Sequence, residues 1–251
     1  KTFTKVLIVI LVLSLSGIEI SKDGIDFKTA LVYAQQENSV WKDNANFSTG
    51  DISRVMPQEF RYLNLNLNSL KNILSASPFE LSDRAMTSPL IIELPHPDGG
   101  MSKFYVTEYS MMEQGLTDQF PGFKTYNVKG IDDPYAVGKI DITVFGFHGM
   151  VLTPNGDYFI DPVNMDNTDN YISFFKSDYI STQPFECLVD EVIENTDFIS
   201  NYNSDLTGQQ LRTYRLACAA TGEYTAVFGG TVAAGQAAIV VAVNRVNGVY
   251  E

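Results

Sequence analysis

An Asn-Gly pair, Asn155-Gly156 within Thr153-Pro154-Asn155-Gly156-Asp157, separates an apolar run at residues 138–152 from a second one at 158–160. Asn and Gly accept the positive φ angles of a tight antiparallel turn, so this pair is the strongest hairpin signal in the chain. The first run, with Ile140, Ile142, Val144, Phe145 and Phe147, reads as one long strand. Upstream, Pro95-His96-Pro97-Asp98-Gly99-Gly100 is a turn between strand candidates at 88–94 and 103–110. Phe60, Leu63, Leu65 and Leu67 end in a Leu-Asn alternation that suits a half-buried strand, and Leu70, Ile73 and Leu74 fit a short helix stopped before Pro78. Residues 57–180 are therefore expected to form a β-rich domain with hairpins and few helices.

Lys1 and Lys5 precede an apolar run at residues 6–15, interrupted by Ser14. That is the layout of a secretory signal peptide, and the run is about half the roughly 20 residues needed to span a bilayer. Residues 1–34 are expected to be signal peptide and leader, cleaved after Ser16 or Ala34. An exported, secreted protein with no stable membrane span follows. Residues 35–56 are polar, with Trp41 and Phe47 as bulky side chains, and read as a loosely attached linker. The net charge of -13 excludes a nucleic-acid phosphate backbone as the expected partner.

The C-terminal stretch 211–251 has a different character. Residues 214–220 form a short apolar run, expected to be a strand buried on both faces of a sheet with parallel pairs. Gly229 and Gly230 end that segment, and Thr231 is placed to cap a helix. Val232, Ile239, Val243, Val246 and Tyr250 then lie on one helical stripe. A strand and helix of this kind need a returning strand, so the stretch reads as the start of a truncated α/β domain. The expected fold class is α+β overall. Residues 181–210 form an acidic, polar linker with a candidate activation site.

Chemistry-bearing residues are few. His96 is expected to be solvated in its turn, and His148 to be hydrogen-bonded within or beside a sheet, since neither has a partner at metal-ligand spacing. Asp157 with Asp161, or Asp132 with Asp133, could chelate calcium, although turn chemistry explains them as well. The chain contains no phosphate-binding Gly-rich loop, no Gly-x-Ser-x-Gly and no His-Glu-x-x-His.

Leu211-Arg212-Thr213-Tyr214-Arg215-Leu216-Ala217 with Thr221-Gly222-Glu223-Tyr224, followed by Val243-Asn244-Arg245-Val246-Asn247-Gly248-Val249-Tyr250, resembles the start of the catalytic domain of secreted bacterial reprolysin-like zinc metalloproteases of the metzincin clan. Glu93-Leu94-Pro95 with Pro97-Asp98-Gly99, Phe120-Pro121, Lys124-Thr125-Tyr126, Gly146-Phe147-His148 and Tyr158-Phe159-Ile160-Asp161-Pro162 are similar to their propeptide region. These short motifs draw their specificity from their order.

The resemblance implies a zymogen whose zinc motif, H-E-x-x-H-x-x-G-x-x-H, lies beyond Glu251. Zinc would be bound by that absent part, the parent enzyme would cleave polypeptides, and the propeptide would keep its own catalytic domain latent and assist its folding. The chain itself, lacking the motif, is expected to be inactive. Cys187 is the candidate inhibitory zinc ligand of a cysteine switch, since a thiolate could occupy the open metal position. A disulfide from Cys187 to Cys218, or an inert thiol, are the competing readings, and Cys218 is expected in the core. The alternative function is a complete, non-enzymatic exported β-rich binding or surface protein.

Overall fold

A computed structural model describes residues 40–46, 57–179 and 215–250. Its centre is one nine-stranded sheet: β1 (Trp41–Asp43), β2 (Arg61–Leu65), β3 (Leu90–Pro95), β4 (Met101–Tyr109), β5 (Lys124–Gly130), β6 (Val137–Thr143), β7 (Gly146–Leu152), β8 (Tyr158–Asn164) and β9 (Asn167–Phe175). The spatial order is β1-β2-β9-β8-β7-β6-β5-β4-β3, and every pair is antiparallel. From β3 to β9 the sheet is therefore a meander of consecutive hairpins. Five α-helices, α1 (Leu67–Leu74), α2 (Asp83–Thr87), α3 (Gln114–Gln119), α4 (Gly222–Val227) and α5 (Val232–Tyr250), and one 3-10 turn at Lys176–Asp178 accompany it among the described residues. The mixed, strand-rich class with few helices matches the expectation.

The sheet curls until it is nearly closed. Alternate side chains of all its strands point inward, and Leu63, Leu94, Phe104, Ile140, Phe147, Tyr158, Ile160 and Tyr171 form one buried cluster. The two ends are brought together by polar contacts between distant hairpins. Arg61 on β2 donates to the carbonyl of His96 at 3.1 Å, and Ser173 on β9 donates to that of Pro95 at 2.9 Å. Helix α1, capped by Asn66 through the Ser69 amide, plugs the seam with Leu70 and Leu74. Between Trp41, Leu70, Ile92 and Met101 a space of only about 10 Å³ remains.

Several expectations need correction. Residues 138–152 are not one strand but the hairpin β6–β7, which turns at Val144-Phe145. Those two residues keep negative φ, and the required positive φ falls on Gly146 at +94°. A Cβ there would also lie 2.5 Å from the Tyr171 hydroxyl, so only glycine fits. The loosely attached reading of residues 35–56 fails at Trp41, which is 2% exposed and meets Phe147 and Tyr171 edge-on, both at 5.4 Å between ring centres. Residues 215–220 form no strand. They join none of the nine strands and are exposed, including Leu216 and Cys218, because an apolar run becomes a buried strand only with a partner. The parallel pairing expected for them is absent from the sheet. The Asn155-Gly156 turn does connect β7 to β8, with Gly156 at φ +130°. The signal peptide, the 181–210 linker and Cys187 lie outside the described residues.

Replacing Trp41 by Ala should cost about 3–5 kcal/mol in urea unfolding, the usual loss for a large buried aromatic; a loosely attached segment would give less than about 0.5 kcal/mol. Alkaline pH supplies a second check. Burial raises the hydroxyls of Tyr126, Tyr158 and Tyr171 well above the ordinary tyrosine value. A raised folded value means full stability below the unfolded value of about 10 and loss above it. Denaturant midpoints should thus hold through neutral pH and decline above about pH 10.

Candidate functional site

Helix α5 packs across the outer face of β6 and β7, and the polar residues of that face are buried beneath it. Alternation on β6 sends Ile140 and Ile142 inward and Lys139, Asp141 and Thr143 outward. On β7 the same rule sends His148 and Met150 outward. Asp141 is 1% exposed, which for a carboxylate requires hydrogen-bond donors on every side. His148 Nδ1 lies 3.0 Å from its Oδ1, and Asn244 Nδ2, from α5, donates to its Oδ2 at 3.1 Å. The same amide nitrogen reaches the Ile140 carbonyl at 3.2 Å, while Tyr109 donates its hydroxyl proton to Asn244 Oδ1. Lys139, also buried, places its ammonium 4.4 Å from the centre of the Tyr109 ring and donates to Asn127. The next residue of α5, Arg245, forms an ion pair with Asp161 and lies over Phe159.

The two halves of α5 are held differently. Its N-terminal half rests on an apolar cluster in which Ala237 and Val240 meet Phe123, with Phe120 and Phe145 alongside. Its C-terminal half rests on the Asp141 network and ends with Gly248 against Lys139 and Met150, where a Cβ would come within 2.9 and 2.6 Å of their side chains. Thr231 caps the helix as expected, accepting from the Ala234 amide at 3.1 Å. Ahead of it, Gly229 and Gly230 close α4: their amides bond the carbonyls of Ala226 and Thr225, the double bond of a left-handed helix end.

The helix itself was legible, but its buried face was not. Val232, Val246 and Tyr250 are 79%, 51% and 86% exposed, whereas Ala234, Ala237, Ala238, Val240, Asn244 and Gly248 are covered. Small residues let the helix axis approach the sheet closely, and this gain outweighs the larger apolar stripe. By length and composition α5 could also cross a bilayer, a test that buried helices of ordinary cores pass as well. Asn244 and Arg245, both engaged by the sheet, would be costly in lipid.

His148 is where the sequence placed it, hydrogen-bonded beside a sheet strand. His96 is not simply solvated: its ring packs 5.2 Å from Tyr158 and 5.5 Å from Phe175, closing one end of the core. The aspartates considered for calcium serve turns and pairs. Asp132 accepts from the Lys103 amide, Asp133 from Tyr135, and Asp157 from Thr153, while Asp161 is held by Arg245. No three His, Cys, Asp or Glu side chains converge on a metal site among the described residues, so these residues do not themselves fit zinc. Cys218 is exposed and free, not part of a core. Asp141, Asn244 and Tyr109 carried no local signal, although buried polar residues on an apolar-flanked strand, as in Lys139-Ile140-Asp141-Ile142, hint at a covered outer face.

Comparison with known protein families, with curated proteins and with solved structures gives no match.

Asn244→Leu would strand the Asp141 carboxylate and the Tyr109 hydroxyl together. At about 1–3 kcal/mol per unsatisfied buried group, and more for a charged one, the loss should exceed about 3 kcal/mol. Hydrogen exchange of α5 amides should accelerate more than that of β3 and β4. A loss below 1 kcal/mol would mean the network contributes little.

Proposed function

We propose that this chain is the N-terminal portion of a secreted zinc metalloendopeptidase zymogen, and that its strand-rich domain is the propeptide. In this reading α4 and α5 belong to the beginning of the catalytic domain, and the zinc motif follows beyond Glu251. The sheet domain grips α5, keeps the enzyme latent and offers a preformed face on which the catalytic domain folds. Cys187, within the polar segment before α4, is the candidate thiolate ligand of the latent metal site.

The observation that supports this most directly is the manner in which α5 is held. The main core of the sheet domain contains no residue of α4 or α5, so the domain has an interior of its own. The helix is added to the outside of that domain through a face rich in small and polar residues. Ion pairs and hydrogen bonds can be released into water after cleavage at less cost than a merged apolar core. The opposite stripe of α5, with Val232, Val246 and Val249 exposed, is apolar and suits coverage by further catalytic-domain structure.

The alternative, an exported non-enzymatic surface protein, draws on the same satisfied network, which is also what an ordinary domain interior shows. A specific protease site inserted near Asn195 distinguishes the two. After cleavage, the zymogen reading expects two urea transitions: release of the C-terminal fragment, then cooperative melting of the sheet domain at higher urea. A single transition for both parts favours the alternative. The zinc half is tested by the source gene past the codon for Glu251, where absence of His-Glu-x-x-His removes it.

A further inference from the structure

Between α4, α5 and the outer face of β7–β9 lies a pocket of about 260 Å³, open to solvent, whose walls include Phe145, Ile172, Phe228 and Val163. We infer that it is a binding site for a small, uncharged aromatic molecule bearing one hydroxyl group, a phenol in the simplest case. The inference is independent of the zymogen reading, because it rests on the cavity alone.

Size sets the first limit. An apolar cavity of about 150 Å³ accommodates benzene, so this one takes a single substituted ring. Its walls suit an aromatic guest, with Phe145 and Phe228 at 6.0 Å and Tyr224 and Phe228 at 4.8 Å between ring centres, all tilted.

Polarity sets the second. His148 lines the cavity and is only 9% exposed. Its Nδ1 is committed to Asp141, and a carboxylate can only accept, so Nδ1 carries the proton and Nε2 is the ring atom left for a guest. No hydrogen bond to Nε2 exists among the described residues. A ring nitrogen left open on the pocket wall can meet a polar group of a guest, as donor or as acceptor. Arg245, on the same cavity, has a buried Nε that is likewise without a partner among the described residues, and it can donate to an oxygen. A hydroxyl offers both a donor and an acceptor.

Charge sets the third. The Arg245 guanidinium is already paired with Asp161, and Asp141 lies behind His148, so no free cation is offered to a carboxylate guest. A neutral molecule is preferred.

The test is titration of the whole chain with p-cresol and with toluene, which differ by the hydroxyl, followed by NMR of the methyl groups of Ile172 and Val163. p-Cresol should bind at least ten times more tightly than toluene. Ala242 is an exposed residue of α5 on the cavity wall, and Ala242→Trp should abolish binding of both. His148→Phe should reduce p-cresol to the affinity of toluene. Equal affinities for the two probes, or p-cresol binding that survives Ala242→Trp, would overturn the assignment even if the His148 variant fails to fold.

Discussion

A carboxylate that is almost wholly withdrawn from water is tenable only while donors surround it, and Asp141 sets that condition for the outer layer of this protein. Its donors come from two directions. His148 belongs to the neighbouring strand and is delivered by the β6–β7 hairpin, directly across the ladder from Asp141. Asn244 belongs to a helix that follows a long polar segment. The first partner is therefore a local consequence of the sheet, whereas the second exists only when α5 is docked. Without the helix, water must take the place of the amide at Asp141 and at the Tyr109 hydroxyl. The sheet domain thus carries a face whose polar groups are complete in one docked arrangement.

The inner layer depends on nothing of the kind. Its apolar side chains follow from strand alternation, and α1 and Trp41 fill the seam where the curled sheet meets itself. This division explains a feature that is otherwise odd, the polar outer surface of central strands. Lys139, Asp141 and Thr143 resemble solvent-facing residues in composition, but they are covered. They are suited to a partner that arrives with matching groups, and poorly suited to an apolar one.

Legibility in the sequence followed the range of the interactions. Turns with Asn155-Gly156 or with Pro and Gly between residues 95 and 100 were readable because their conformational demands are met within a few residues. The Leu-Asn alternation of β2 and the cap of α5 were readable for the same reason. The break at Val144-Phe145 was hidden because neither residue signals a turn, and the burden falls on Gly146 alone. Strand β5 was hidden by its polar outward residues, although Tyr126 and Val128 alternate as strand residues do, and β9 by the lack of alternation, since it buries Tyr171 on one face and Ile172 and Phe174 on the other. The face of α5 was misjudged because hydrophobic size is a poor guide where close approach matters more. Least legible was the network itself, since Asn244 and Asp141 are 103 residues apart. No window of sequence joins them.

Gly248 and Asn244, one turn apart on the buried face of α5, also restrict how the helix can slide. A shift along its axis by one turn, about 5.4 Å, would bring either Val240 or Gly248 opposite Asp141, and neither side chain has a donor to offer. Sliding in one direction would in addition drive a larger residue than glycine against Lys139 and Met150. The helix therefore has one register on the sheet, fixed like a key by a single notch, and intermediate positions are penalised at both ends at once.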